Sequence, residues 1–273
     1  MPPSAFLLAL AAAFLHALWN LLIARARDTE AATAVVVVVA VVVFAPVAAL
    51  TWQVDSAAWP YIAASSCCHL VYFSLLAAAY RGSELSLVYP LARGLAPVLV
   101  LVVGVAALDA ETTAVQALGV CLVGLGVLLV RGLGRPAGWT GVLFGLAIAC
   151  SIAAYTLVDD RGIRYANAVT YLELILIVPA IGYALGIAWF KGGRALRAEL
   201  RPASVVAGLG MWIAYGLVLA ALARAEAAPV AAVRETSIVI ATVGAALFLH
   251  ERVGPSRLAG AVLVAVGVAL LGF

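Results

Sequence analysis

Ten stretches of about twenty apolar residues, parted by short polar connections, account for almost the whole chain. They fall at approximately 4–25, 31–52, 57–80, 84–108, 112–131, 139–158, 167–190, 203–223, 226–249 and 255–272. A helix rises about 1.5 Å per residue, so each stretch is long enough to cross a hydrocarbon core of about 30 Å. Transmembrane β-strands would need about 10 residues of alternating character, and runs such as Val35-Val36-Val37-Val38-Val39 do not alternate. The pattern predicts an all-α integral membrane protein of ten transmembrane helices. The first stretch reads as a span rather than a cleaved leader, because no Lys or Arg precedes it and it is long enough to cross.

Composition agrees with lipid as the solvent. The chain is 66% hydrophobic and 11% charged, with a mean hydropathy of +1.17, where soluble domains carry roughly 45–50% apolar and about 25% charged residues. A net charge of +3, scattered along the chain, argues against a nucleic-acid partner. The longest connection, near Lys191 to Pro202, is too short for a soluble domain, and no G-x-x-x-x-G-K-[ST] loop is present, so ATP hydrolysis by this chain is excluded. Cys67, Cys68, Cys121 and Cys150 lie inside apolar stretches without metal-ligand spacing and read as packing residues. His250-Glu251 does not continue into H-E-x-x-H. No cofactor is expected.

The chain repeats itself. With a shift of 141, Arg93 meets Arg234, Gly119 meets Gly260 and Gly126 meets Gly267. With a shift of 142, Pro60 meets Pro202, Ala79 meets Ala221 and Glu84 meets Glu226. At the front of each half Ala17, Leu21 and Arg25 meet Ala153, Leu157 and Arg161, a shift of 136. The halves are 1–131 and 139–273, joined by a Gly- and Arg-rich linker at 132–138. Five spans per half is an odd number, so the second copy enters the membrane inverted. Inverted repeats support alternating access around a site at their interface, near the midplane. One chain then supplies both half-sites, which predicts a monomer.

An ionisable group at the bilayer centre costs about 2.5–3.5 kcal/mol on insertion scales, so it needs a partner or a task. Arg93 lies roughly 14 Å along the fourth span, and Arg234 occupies the matching place in the ninth. Two guanidinium forks at mid-depth suit a carboxylate or phosphate. The plainer alternative is neutralisation, by Glu235 beside Arg234 or by Glu173 in the seventh span. Pro90 and Pro97 free carbonyls near Arg93. His16, Trp19 and Asn20 share one face of the first span, and Tyr155 and Thr156 occupy the matching positions in the sixth. His69 with Tyr72, and Trp212 with Tyr215, are three apart in the third and eighth spans. These polar and aromatic faces suit a substrate wall, or equally interhelical packing. Glu84 and Glu226 start helices, where the dipole favours a carboxylate. Glycines spaced by seven, Gly119 with Gly126 and Gly260 with Gly267, make smooth faces for close packing.

The opening FLHALWNLLIARA and the endings VVGVAALDAETTAVQALGVCLVGLGVLLV and VGAALFLHERVGPSRLAGAVLVAVGVALL resemble EamA-type members of the drug/metabolite transporter superfamily. His250-Glu251-Arg252 stands where such proteins often show Gly-Glu-Arg, while Asp109-Ala110-Glu111 departs from that pattern. The resemblance implies a ten-helix bundle with a central cavity lined by spans 1, 3, 4, 6, 8 and 9, and with spans 5 and 10 to the side. It also implies a secondary-active or facilitative transporter in the cell membrane, the inner membrane of a bacterium. The arginines point to a small anionic metabolite as its solute. Export of amino acids or other zwitterionic solutes, and lipid flipping, are the alternatives; a membrane-embedded enzyme would need a triad or metal set that the spacing does not offer.

Two arguments on orientation disagree. The 1–2, 3–4, 5–6, 7–8 and 9–10 connections hold most of the Lys and Arg, against only Arg161, Arg164 and Arg224 on the other side. The positive-inside rule then places both termini outside; the resemblance places both inside. Either way the termini share a side.

Overall fold

The computed structural model describes residues 1–82, 85–131, 139–240, 243 and 254–272. The linker 132–138, Glu84 and His250-Glu251-Arg252 lie outside these residues. The described chain folds into α1 (Pro3–Ile23), α2 (Thr29–Leu50), α3 (Trp59–Gly82), α4 (Leu85–Ala107), α5 (Ala114–Arg131), α6 (Trp139–Gly162), α7 (Ala168–Lys191), α8 (Gly193–Glu199), α9 (Pro202–Leu222), α10 (Ala227–Arg234) and α11 (Pro255–Gly272). Eight of these segments are long and apolar enough to cross a membrane: α1 to α4, α6, α7, α9 and α11. α5 is apolar over the shorter stretch Ala114–Val130.

Three expectations change. The ninth stretch is not one straight helix: α10 ends at Arg234, Glu235 sits in a turn, and helix resumes at Thr236. Beyond residue 240 the expected span 226–249 passes almost wholly outside the described residues, so ten is not the number of crossings seen. The sixth helix does not stop at 158 but runs to Gly162. The short α8 fills part of the connection after α7.

Helix starts follow local chemistry. The Asp28 carboxylate caps α2 by accepting from the amides of Glu30 and Ala31, and Asn167 caps α7 by accepting from the Thr170 amide. Both occupy N-cap positions, where such side chains satisfy otherwise orphaned amides. Pro3 and Pro202 begin α1 and α9, where no intrahelical N–H is needed.

Packing follows the internal repeat. α1 packs on α9 while its counterpart α6 packs on α3, and α2 packs on its own counterpart α7. α5 and α11 likewise pack on each other. A Cβ built on Gly119 would lie 2.9 Å from the Gly267 carbonyl oxygen, and one on Gly260 only 2.6 Å from that of Gly126. Glycine at these positions is what lets the two backbones touch.

The N-terminal ammonium donates to the Leu271 carbonyl at 3.1 Å, so both chain ends lie on one face, here the terminal face. On that face the Asp55 amide donates to the Tyr165 carbonyl at 2.8 Å and the Asn167 amide to the Gln53 carbonyl at 3.1 Å. On the opposite face Lys191 Nζ lies 2.8 Å from both oxygens of Asp28 and 3.2 Å from Glu30. Exposed Trp52 and Trp59 ring one face, and exposed Trp139 and Trp189 the other, the placement amphipathic rings take at a bilayer's two interfaces.

Candidate functional site

A cavity of about 100 Å³ sits in the middle of the bundle, where the two repeats meet. It runs from His69, Tyr155 and Arg234 toward Thr33 and Tyr89, which lie within about two helical turns of the starts of α2 and α4 on the opposite face. The wall comes mainly from α1, α3, α4, α6, α9 and α10, with Thr33 of α2 and Leu176 of α7 added.

α1 turns His16, Trp19 and Asn20 into the cavity. The Asn20 amide donates to the His16 carbonyl at 2.7 Å, and the His16 and Trp19 rings meet edge to face at 5.0 Å. Among the described residues, Trp19 Nε1 is buried without a hydrogen-bond partner. At one end of the cavity His69 stacks on Tyr155 at 4.2 Å and meets Tyr215 edge-on at 5.5 Å. Tyr72 closes the group against Tyr155 at 6.0 Å. These four rings come from α3, α6 and α9.

Arg93 and Arg234 both line the cavity, and each is 3% exposed. Glu235 stands between them, its Oε2 2.9 Å from Arg93 Nε and its Oε1 3.9 Å from Arg234 Nη2. The break in the ninth stretch explains this reach. On a straight helix Glu235 would face about 100° from Arg234, but here its amide bonds back to Ala232 and its carbonyl accepts from Ile238, both three residues apart. That local tightening lets one carboxylate address both guanidinium groups. Arg93 Nη2 also donates to Ser237 Oγ at 3.4 Å. Among the described residues, Nε and Nη2 of Arg234 are buried with no hydrogen-bond partner. Two cations and one carboxylate leave the cluster one positive charge in excess. Pro90 and Pro97 do not interrupt α4, which is continuous from Leu85 to Ala107; the opened helix is the ninth.

Nine of the expected residues thus come together at the cavity wall. Glu235 sits behind the arginines rather than on the wall. Glu173 and Trp212 are also off it. Trp212 Nε1 donates to Glu173 Oε2 at 3.2 Å, and the indole stacks on Phe44 at 3.9 Å. Glu173 therefore pairs with Trp212, not with an arginine.

Sequence reasoning missed Asp159 and Tyr171. Asp159 is fully buried, and its oxygens accept from the hydroxyls of Tyr171 at 3.1 Å and Tyr215 at 2.5 Å. A second cavity of about 290 Å³ lies on the terminal face and is lined by Asp109, Glu111, Asp160, Arg161, Arg164 and Glu226 among others. Among the described residues, no group of three or more His, Cys, Asp and Glu is placed to hold a metal ion.

A helical bundle of membrane-spanning length, folded as two related halves around a central cavity that holds two arginines, is the architecture of a small-solute transporter. The sequence matches the EamA-like transporter family over residues 3–132 and again over residues 139–273. The chain belongs to that family, membrane transporters of the drug/metabolite transporter superfamily, and is a multi-pass protein of the cell membrane. A solved structure described as a crystal structure of a protein shares the fold, with a TM-score of 0.78 at 16% sequence identity. The match covers 99% of this chain and 96% of that one. None of the curated proteins compared with the chain matches it in sequence.

Proposed function

We propose that the chain is a secondary-active or facilitative transporter of a small anionic metabolite, held at mid-depth by Arg93 and Arg234 and passed across by alternating access. One observation carries this reading: a buried Arg–Glu–Arg cluster with one positive charge in excess among the described residues, whose Arg234 has two nitrogens without a hydrogen-bond partner among those residues. Uncompensated charge in a low-dielectric interior is costly, and a bound anion is the partner that would offset it. Trp19 Nε1 supplies a further donor on the same wall, without a partner among the described residues. The aromatic group of His69, Tyr72, Tyr155 and Tyr215 would then enclose the remainder of the solute.

The repeats, 1–131 and 139–273, act as the two moving halves, and one chain suffices. Vesicles containing the purified protein test the reading with labelled phosphate, sulfate, succinate and glutamate. The account requires saturable uptake of at least one of them with no covalent change. No saturable uptake of any of the four, or product formation in place of flux, would refute it.

A further inference from the structure

We propose that Asp159 is the site where this transporter takes up and releases a coupling proton. The proposal rests on the transport reading above and adds the ion that drives it.

The register that pairs Leu21 with Leu157 pairs Ile23 with Asp159, and the one that pairs Pro60 with Pro202 pairs Phe73 with Tyr215. Aligning the two N-caps, Asp28 and Asn167, pairs Ala32 with Tyr171. The trio Asp159, Tyr171 and Tyr215 thus corresponds to Ile23, Ala32 and Phe73, all buried. The duplicated architecture is satisfied by apolar side chains at these three positions. A carboxylate with two phenols in the other copy is therefore not something the fold itself requires, and a buried ionisable group within a membrane needs a task.

The position fits the task. Tyr215, which donates to Asp159, lines the central cavity, and the adjacent Asp160 lines the cavity on the terminal face. The carboxylate lies between the central cavity, which extends toward the opposite face, and the cavity on the terminal face. His69, also on the central cavity wall, has Nδ1 2.9 Å from the Ser65 carbonyl oxygen and 3.2 Å from Ser65 Oγ, and Ser65 in turn adjoins Asp159. A chain of hydrogen-bonding groups thus leads from the cavity to the acid.

The titratable and charged groups around Asp159 are Cys68 and His69 from α3, Tyr171 from α7, Tyr215 from α9, Arg234 from α10, and Tyr155 and Asp160 from its own helix. Among the described residues it forms no ion pair within 4.0 Å, whereas Asp160 pairs with Arg164 at 3.3 Å. The step itself moves one proton: the carboxylate gains it from water on one side, and returns it to water on the other, with no other bond made or broken.

The test needs no solute. Full-length protein in vesicles of phosphatidylethanolamine and phosphatidylglycerol is adsorbed on a solid-supported membrane, and the external pH is stepped. A proton entering the membrane dielectric should displace charge in the wild type. That current should be lost in Asp159→Asn and kept in Asp160→Asn. Should Asp159→Asn not elute monodisperse, Tyr171→Phe combined with Tyr215→Phe keeps both rings and the acid, and should shift the pH at which half the charge moves. No current in the wild type, an undiminished current in Asp159→Asn, or an unmoved midpoint in the tyrosine pair overturns the proposal. The anion site fails independently, when Arg234→Ala binds phosphate, sulfate, succinate and glutamate as the wild type does.

Discussion

Glu235 Oε2 lies 2.9 Å from Arg93 Nε, joining the fourth span of one repeat to the broken helix of the other. Both side chains are at most 4% exposed. The contact is close, but the Nε–H does not point along it, so the pair is a charge contact rather than an aligned hydrogen bond. Removing one partner of a buried ion pair costs about 3–5 kcal/mol, much of it from the charge left behind.

Glu235→Gln is therefore expected to lower the melting temperature of the purified protein while raising its affinity for anions. Neutralising Glu235 turns an excess of one positive charge into two. Thermal melts with and without phosphate, sulfate, succinate or glutamate check this, and a bound anion should recover part of the lost stability. A variant less stable and no tighter for any of them would contradict the account.

The two tryptophans should separate by role. Trp212→Phe removes the donor to Glu173 and leaves the cavity wall alone, so it should reduce stability by about 1–3 kcal/mol, the cost of a buried acceptor left unsatisfied. Its anion affinity should stay as in the wild type. Trp19→Phe removes an unpartnered donor on the wall and should weaken binding with little change in melting temperature. Titration of both variants, beside their melts, decides it.

How much of this was legible in the sequence differs from residue to residue. The matched positions of Arg93 and Arg234 followed from the repeat alone, because two costly charges at one register are hard to place anywhere but the interface. The role of Glu235 was not legible: it depends on a helix break that no proline or glycine marks in Val233-Arg234-Glu235-Thr236. Spacing placed Trp212 and Tyr215 on one face, yet a helix buries a wide arc, and Phe44 with Glu173 captured the indole while the phenol reached Asp159. Asp159 was hidden by its neighbour. An Asp-Asp pair after an apolar run reads as the solvated end of a span, but α6 continues to Gly162 and draws the first acid inside.

Gly260→Ala tests the α5–α11 contact. The added Cβ would sit 2.4 Å from the Val130 amide nitrogen and 2.6 Å from the Gly126 carbonyl oxygen, and backbone cannot rotate aside as a side chain can. Overpacking of this kind costs about 1–3 kcal/mol. The melting temperature should fall while anion affinity is unchanged, since neither helix lines the cavity. Thermal melts and titrations of Gly260→Ala beside the wild type check both halves of the expectation.

The opposite face carries a pH dependence of its own. Burial pushes the Asp28 carboxyl upward, but Lys191 and the amides of Ala31 and Glu30 outweigh it and hold the group below its ordinary value of 3.8. A carboxyl depressed on folding stabilises the protein above its unfolded value, and that contribution is lost as pH falls through the folded one. Lys191→Met should be less stable than the wild type at neutral pH by under about 1 kcal/mol, a half-exposed pair being worth no more. The two melting curves should converge as pH drops below about 4. A gap that persists in acid would place the effect elsewhere.

The most direct measurement is isothermal titration of phosphate, sulfate, succinate and glutamate into wild-type protein, Arg234→Ala and Arg234→Lys, all purified in mild detergent. The account predicts that at least one of these anions binds the wild type. It predicts no measurable binding to Arg234→Ala, which should still elute monodisperse, and weakened but detectable binding to Arg234→Lys, which keeps the charge and loses the planar fork. Arg234→Ala that binds as tightly as the wild type would contradict the anion site.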